Sequence, residues 1–249
     1  MILWPVRKFI KRRFLSWLVR TPLGVTIAFD VAKDKAIALT FDDGPNPNGT
    51  PSILDTLEAF RAKATFFLLG RNVDTYPHIA AEIARRGHAI GCHTYNHVRL
   101  VGLKTAQIVQ EIKQSQRSIL RATGTKPRLF RPPYGAYDSK AYFILRAFGM
   151  KVILWSAGGE DWLEHDSGII VQRVLEGLSN GACVFLHDGS EDFSRQEAIN
   201  RSNTIAATRT LLRVLSEQGY QFLTVPEMMR YRERRVFFRY WGGYKLILD

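Results

Sequence analysis

The 249-residue chain has little cysteine and no long apolar segment. Its two cysteines, Cys92 and Cys183, each lie within a short apolar run, which favours two buried free thiols and gives no argument for a disulfide between them. No run of about 18 apolar residues without charge occurs, so the sequence predicts no membrane-spanning helix. At this length the chain suits one large domain or two small ones and can bury a sizeable core.

Acidic residues are outnumbered by basic ones, 23 against 35, and the imbalance is concentrated at the two ends. Residues 1–23 carry six basic residues and no acid, and residues 226–249 carry a net charge of +3. The segment between them therefore holds only +3 of the total of +12. This distribution favours basic ends on a near-neutral core over a groove for nucleic acid, and we expect no nucleic-acid partner.

The basic N-terminal segment also lacks a clear cleavable signal. Its apolar run, residues 14–19, is shorter than the roughly 7 to 15 residues of such signals, and Arg20 interrupts it. A basic amphipathic segment that contains Trp4 and Trp17 could make peripheral contact with an anionic membrane surface. A helix that packs its apolar face on the domain is the alternative, and the sequence leaves both open.

Strand and helix patterns alternate along the chain. Apolar, β-favouring runs predict strands at 25–31, 36–41, 65–69, 88–92, 128–130, 151–155, 182–186 and 220–225. Helical spacing predicts helices at 51–62, 72–86, 105–122, 139–148, 169–178 and 200–217. The first two strands are expected to form a hairpin or to lie side by side. The alternation predicts an α/β fold with a parallel sheet covered by helices. Seven such strand–helix units in one chain favour a barrel, regular or irregular.

A parallel fold of this kind places its site at the carboxyl ends of the strands. Polar residues collect at the predicted ends: Asp42 and Asp43, His93 and His97, Arg131, the loop 155–162, and His187 with Asp188. Scattered structural polar residues would not be expected to gather at one rim. The sequence therefore predicts a site there.

Asp42 and Asp43 end the buried strand that begins at Ala36 and precede a Gly-Pro turn. Neighbouring carboxylates repel each other unless a cation lies between them or one holds a proton. A metal could take one carboxylate as a ligand and leave the other to accept a proton from water on the metal. A plain turn is the alternative, since Asp, Gly and Pro each favour turns.

His93 and His97 are four residues apart, which on one helical turn would bring both imidazoles to the same face. With a carboxylate they would supply three protein ligands and leave room for water and substrate, as in catalytic metal sites. Histidine pairs at this spacing also occur by chance. The position after a strand, at the same rim as Asp42 and Asp43, favours a metal.

Two further segments offer catalytic groups. Arg131 is a fixed cation at a Pro-Pro turn, where the amide of Tyr134 could face a developing oxyanion. His187 follows an apolar strand, and histidine is the side chain best suited to give a proton near neutral pH. The alternatives are a surface turn and a buried, hydrogen-bonded histidine.

Five segments, in order, resemble the motifs of the polysaccharide deacetylases (carbohydrate esterase family 4, the NodB homology domain). They are Thr40-Phe41-Asp42-Asp43-Gly44-Pro45, His93-Thr94-Tyr95-Asn96-His97, Arg131-Pro132-Pro133-Tyr134-Gly135, Asp161-Trp162 and Leu186-His187-Asp188. The resemblance covers about residues 36 to 225. It divides the chain into a basic segment with a first strand (1–35), a NodB-like catalytic domain (36–225) and a basic, aromatic tail (226–249).

The resemblance implies a distorted barrel of about seven parallel strands that hydrolyses N- or O-acetyl groups on sugars with a divalent metal, commonly Zn2+, with Co2+ or Mn2+ as alternatives. It implies Asp43, His93 and His97 as ligands, Asp42 as the base and Arg131 as the residue that orients it. It also implies that the Tyr134 amide binds the oxyanion and that His187 protonates the leaving group. Substrate contacts are expected from Pro133, Tyr134, Trp162 and Leu186.

The fourth motif departs from the family pattern. The family usually has an aspartate four residues before the tryptophan, which holds the acid histidine, and Gly158 stands at that position here. Glu160, Asp161 or Asp188 could substitute for it. This departure puts the general-acid step in question and leaves the metal site untouched.

Three functions are compatible with the sequence. The first is a deacetylase acting on N-acetylglucosamine units of a glycan. The second is a deacetylase or deformylase of a lipid-linked sugar at the membrane, which the basic, aromatic ends favour. The third, motivated by Gly158, is a glycan-binding homologue without catalysis. Members of the family usually work in the cell envelope, whereas no cleavable signal is evident here.

Overall fold

A computed structural model describes residues 25–31, 34–163, 166–190 and 200–236. The strands are β1 (Val25–Asp30), β2 (Ala36–Asp42), β3 (Ala64–Leu68), β4 (Ala89–Cys92), β5 (Leu129–Phe130), β6 (Lys151–Val152), β7 (Ala157–Gly158), β8 (Cys183–His187), β9 (Gln221–Phe222) and β10 (Arg232–Val236). The helices are α1 (Thr50–Ala59), α2 (Gly70–Thr75), α3 (Pro77–Arg85), α4 (Thr105–Thr123), α5 (Ser139–Ala147), α6 (Ser167–Glu176), α7 (Ser202–Glu217) and α8 (Val225–Met228).

Seven parallel strands, in the order β6-β5-β4-β3-β2-β8-β7, curl through 204° into a half-barrel with helices around it. The short strand β9 pairs in parallel with the start of β2. The predicted α/β fold, a distorted barrel of about seven parallel strands, is confirmed. The carboxyl ends of β2, β4 and β8 thereby meet at one rim.

Strand β1 pairs antiparallel with β10, with Val25 opposite Val236, so the predicted hairpin of β1 with β2 is wrong. Its Phe29 amide donates to the carbonyl of Gly181, just before β8 begins. Thr26 pairs with Ile153, just after β6, and Ala28 pairs with Ala182, just before β8, so the ribbon formed by β1 and β10 contacts the half-barrel on both of these strands. The division of the chain into segments 1–35, 36–225 and 226–249 stays a prediction.

Local sequence explains most helix boundaries. The stretch predicted as one helix, 72–86, is two helices, because Pro77 lacks an amide hydrogen and begins α3. Asp166 caps α6 by accepting hydrogen bonds from two amides of its first turn. Helix α4 ends at Thr123 and is followed by Gly124, whose φ of 70° suits glycine. The other predicted helices begin and end within three residues of the observed ones.

The alternation of side chains along β2 separates two cores. Its outer face, Ile37, Leu39 and Phe41, packs in the main core between sheet and helices. Its inner face begins with Ala36 and Ala38 in a smaller cluster inside the half-barrel. The same face continues with Thr40 and Asp42. Apolar residues therefore fill the amino half of the interior, and polar residues occupy its carboxyl end.

Two further predictions concern cysteine and membrane spans. Cys92 and Cys183 are buried and free, as predicted. Burial raises the pKa of the Cys92 thiol to about 12. Among the residues that the structure describes, no helix combines the length and the apolar composition needed to cross a lipid bilayer.

Candidate metal and catalytic site

Asp43, His93 and His97 each bring one ligand atom to within 4.8 Å of the other two. Oδ1 of Asp43 lies 3.3 Å from Nε2 of His97 and 3.5 Å from Nε2 of His93. The three residues come from the loops that follow β2 and β4. The structure therefore brings together the three ligands predicted from the sequence.

This donor set fits a divalent cation. Nδ1 of His93 lies 2.7 Å from the carbonyl oxygen of Arg131, which requires the proton on Nδ1 and leaves Nε2 as a lone-pair donor. Burial, helped by His97, lowers the pKa of His93 to about 3 and keeps it neutral. Oδ1 of Asp43 is buried and accepts no hydrogen bond from the described residues. A cation would complete this environment.

The two histidines do not lie on a helical turn, so that part of the prediction is wrong. Residues 93–97 form an irregular loop in which Thr94 and His97 have positive φ angles of 66° and 60°. The imidazole rings nevertheless approach each other, with centroids 5.0 Å apart. Contacts from neighbouring elements, and not helical periodicity, produce the convergence.

Asp42 lies beside the ligands and is held by Arg131. Nη1 of Arg131 donates to Oδ1 of Asp42 and to the hydroxyl of Thr40, each at 2.8 Å. The guanidinium is fully buried and lies over the Phe67 ring, 4.2 Å from its centroid. Oδ2 of Asp42 lies 3.7 Å from Nε2 of His93. One oxygen is therefore tied to Arg131 while the other faces the ligand cluster.

The electrostatics of Asp42 suit a base. Burial raises the pKa of this carboxyl above its ordinary value, although the Arg131 guanidinium opposes the shift. A carboxylate with a raised pKa binds a proton more readily than an exposed one. The arrangement therefore combines fixed orientation with increased basicity.

His187 keeps an aspartate partner, Asp161. Nδ1 of His187 lies 2.8 Å from Oδ1 of Asp161, and Oδ2 accepts hydrogen bonds from the His187 amide at 2.9 Å and the Thr204 hydroxyl at 2.8 Å. Burial alone would lower the pKa of His187, but the Asp161 carboxylate raises it above the ordinary value. The histidine is thus oriented and favours its protonated form.

The other candidates for this partner have different contacts. Oδ2 of Asp188 accepts a 2.5 Å hydrogen bond from the Thr50 hydroxyl, and Glu160 lies 3.4 Å from Arg173. Gly158 pairs with Phe185 in the sheet. The loss of an aspartate at Gly158 therefore does not leave the histidine without a carboxylate, which corrects the concern raised by the fourth motif.

The side walls of the site differ from the prediction at one position. Trp162 is half-exposed, and its ring centroid lies 5.2 Å from that of His187. The ring centroid of Phe185 lies 4.5 Å from that of His187. Leu186 is fully buried in the main core, because successive residues of β8 point to opposite faces. Phe185 therefore lies beside the site in place of Leu186, and alternation back from His187 would have indicated this.

Tyr134 and Pro133 lie on the side of the rim formed by the segment after β5. Pro133 is buried, and Tyr134 is half-exposed with a positive φ of 58°. The Tyr134 ring meets the His97 ring edge to face at 4.7 Å between centroids. The structure thus brings the predicted Tyr134 next to a predicted ligand.

Sequence reasoning missed the residues that support the site. The side-chain amide of Asn72 donates to the Asp43 carbonyl at 2.7 Å and holds this residue at a φ of 72°. The Thr40 hydroxyl accepts a hydrogen bond from Arg131, and the Thr204 hydroxyl donates one to Asp161. Only Thr40 had a signal, because it lies two residues before Asp42 on the same face of β2.

Comparisons with known proteins agree with this site. The family model of the polysaccharide deacetylases matches residues 30–153. The peptidoglycan-N-acetylglucosamine deacetylase PgdA of Listeria monocytogenes is 35% identical over 222 residues, which are 88% of this chain and 43% of that protein. The chain thus spans less than half the length of this relative. A peptidoglycan-N-acetylglucosamine deacetylase of Bacillus cereus is 35% identical over 201 residues, 80% of this chain and 90% of that protein.

Solved structures show the same fold. The Bc1960 peptidoglycan N-acetylglucosamine deacetylase superposes with a TM-score of 0.78 at 29% identity, over 89% of this chain and 99% of that chain. BA3943 of Bacillus anthracis, a pseudoenzyme of carbohydrate esterase family 4, gives a TM-score of 0.72 at 29% identity, over 81% of this chain and 68% of that chain. With these relatives and this fold, the chain belongs to the polysaccharide deacetylase family.

Proposed function

We propose that this chain is a metal-dependent hydrolase that removes N-acetyl groups from N-acetylglucosamine units of a glycan, with O-acetyl groups as the alternative. The observation that carries the proposal is the convergence of Asp43, His93 and His97 beside Asp42 at one rim. The names of the relatives, which describe deacetylases of peptidoglycan and chitooligosaccharides, support the choice of substrate class.

Asp43, His93 and His97 would hold the cation. Two imidazoles and one carboxylate suit Zn2+, with Co2+ and Mn2+ as alternatives. When bound, such an ion lowers the pKa of water and polarises a carbonyl. The described part of the chain offers no second cluster of three such ligands.

Asp42 would accept the proton of the attacking water through Oδ2, the oxygen that faces the ligands. Arg131 would keep this carboxylate oriented through its bond to Oδ1. The backbone amide of Tyr134 would donate to the oxyanion that forms on the acetyl carbonyl. In this assignment Asp42 would supply the base, and the Tyr134 amide would stabilise the negative charge on the oxyanion.

His187 would protonate the leaving amine. Because Nδ1 is engaged by Asp161, Nε2 is the nitrogen left to give its proton. Trp162 and Phe185 would contact the acetyl methyl group beside it, and Pro133 would support the opposite wall. The protonated histidine then acts on the nitrogen released as the carbon–nitrogen bond breaks.

The test is acetate release from a panel of acetylated glycans: chito-oligomers, peptidoglycan and acetylated xylan. The protein is stripped with a chelator and reloaded with one equivalent of Zn2+, Co2+ or Mn2+. We expect release from the N-acetylglucosamine polymers by the reloaded protein, none by the stripped protein, and release by Asp42→Asn that is about 10²- to 10⁴-fold slower. The proposal is abandoned if the loaded protein releases acetate from none of them.

Two other functions have different support. A lipid-linked sugar substrate at the membrane is favoured by the basic ends of the chain, and adding an acetylated and a formylated lipid-linked amino sugar to the panel tests it. A glycan-binding role without catalysis was suggested by Gly158. The contact of Asp161 with His187 argues against that role, and any metal-dependent turnover excludes it.

A further inference from the structure

Glu111, on α4, contacts the loop that carries both histidines. Its carboxylate is almost fully buried, and Oε2 accepts hydrogen bonds from the backbone amides of Tyr95 and Asn96, each at 2.9 Å. Oε1 accepts a third bond, of 2.8 Å, from the side-chain amide of Asn96. All three donors lie between His93 and His97.

Helix α2, which packs against α4, also holds this loop. The amides of Gly70 and Arg71 donate to the carbonyls of Thr94 and Tyr95, at 3.0 and 3.2 Å. A Cβ atom on Gly70 would lie 2.5 Å from the ring of Tyr95, so only glycine permits this close approach. The loop is therefore fixed by amide donors of α2 and by the Glu111 acceptor of α4.

Such fixation matters because the loop is strained. Thr94 and His97 both have positive φ, which is uncommon outside glycine, is most unfavourable for the β-branched Thr94, and persists only where the surroundings over-determine it. His97 is the last residue of the loop and lies 3.3 Å from Asp43. Relaxation of the loop would move its imidazole away from the other two ligand atoms.

We propose that Glu111 is a positioning residue for the metal site, which holds the loop so that His97 stays within reach of Asp43 and His93. It acts through the backbone of Tyr95 and Asn96. The inference rests on the proposed metal site and is independent of which glycan is the substrate. Outer residues that orient metal ligands typically change metal affinity about 10- to 100-fold when replaced.

The matched pair Glu111→Met and Glu111→Gln tests it. Both side chains are close to glutamate in length and neither is charged, but only glutamine keeps an oxygen that accepts hydrogen bonds. Gln116→Met is the control, since Gln116 is also buried on α4 and donates to the Pro127 carbonyl, away from the loop. The readouts are Zn2+ affinity by competition with a chromophoric chelator and the visible absorption spectrum of the Co2+-loaded protein.

We expect Glu111→Met to bind Zn2+ about 10- to 100-fold more weakly than wild type and to change the Co2+ spectrum. Glu111→Gln and Gln116→Met should stay near wild type in both readouts. The inference is overturned if Glu111→Met matches Gln116→Met, or if Glu111→Gln is as weak as Glu111→Met, because charge and not the acceptor would then matter.

The design also covers a variant that does not fold and a wild-type protein that binds no metal. If Glu111→Met does not fold, Glu111→Asp replaces it, since its shorter side chain withdraws the acceptor from the loop. Wild-type Zn2+ affinity in Glu111→Asp then overturns the inference. If the wild-type protein binds neither Zn2+ nor Co2+, the proposed metal site fails and this inference fails with it. Metal binding by wild type with unchanged binding by the variants refutes only the role of Glu111.

Discussion

Asp42 and Asp43 are adjacent in the chain, yet their surroundings give them different chemistry. Asp42 is bonded to the buried guanidinium of Arg131, whereas Oδ1 of Asp43 faces two imidazole nitrogens. The positive φ of Asp43 separates the two side chains after the strand ends. At the residue scale, this supports a base at the first position and a ligand at the second.

Substitution of each aspartate by asparagine should therefore have a different effect. Asp42→Asn removes the proton acceptor and should lower kcat by about 10²- to 10⁴-fold with Zn2+ still bound. Asp43→Asn should lower Zn2+ affinity, and asparagine tolerates the positive φ at this position. Zinc stoichiometry and acetate release separate the two. Wild-type turnover in Asp42→Asn would contradict its role, with circular dichroism to check folding.

The Asp161–His187 pair has a consequence for pH dependence. His187 must carry a proton to donate it, so activity should fall as pH rises through its pKa. In the wild type Asp161 raises this pKa. In Asp161→Asn the burial remains and the carboxylate is lost, so the alkaline limb of the kcat profile should move to lower pH.

The control for Asp161→Asn is a second substrate whose leaving group needs no proton. An aryl acetate with a good leaving group departs without protonation, so its hydrolysis should be much less affected by Asp161→Asn than deacetylation of a chito-oligomer. Equal losses on both substrates, or an alkaline limb that does not move, would mean that Asp161 does not act through the proton on His187.

At the scale of the element, β8 presents Phe185 and His187 to the site and Leu186 to the main core. Leu186→Ala should therefore lower the free energy of unfolding by about 2–5 kcal/mol with little change in kcat of the folded protein. Phe185→Leu should raise KM for acetylated substrates at a smaller cost in stability. Urea unfolding and steady-state kinetics decide this, and the reverse pattern would contradict the assigned faces.

The elements show what the sequence could predict. Most helices and the central strands follow from local apolar periodicity, and ligands at strand ends follow from the parallel fold. The β1–β10 pairing joins residues that are more than 200 positions apart, such as Val25 and Val236, and local patterns do not contain it. The loop of His93 and His97 was mistaken for a helical turn because spacing alone cannot report positive φ.

The supporting residues of the site were also beyond the sequence. Glu111 and Asn72 lie on helices, far in the chain from the residues they hold, and no motif marks them. Asp161 was one of three candidates for the partner of His187, and only its position in space distinguished it. Tertiary contacts therefore determine which residues support this site, whereas the positions of the strand ends determine which residues form it.

At the scale of the whole molecule, the β1–β10 ribbon contacts the half-barrel next to both β6 and β8, through the pairs Thr26–Ile153 and Ala28–Ala182. Arg230, Arg232 and Arg234, in or next to β10, are exposed. Val25 lies opposite Val236, so the residue that begins β1 and the residue that ends β10 are neighbours. Residues 1–23, which lie outside the described residues, carry six basic residues and no acid.

This charge distribution predicts binding to anionic membranes through the basic ends of the chain. The full chain should float with phosphatidylglycerol-containing vesicles, less at high salt, and not with neutral phosphatidylcholine vesicles, because each basic residue near an anionic surface contributes about 1 kcal/mol. Deletion of residues 1–20 should reduce flotation. Equal flotation after the deletion would contradict this contact.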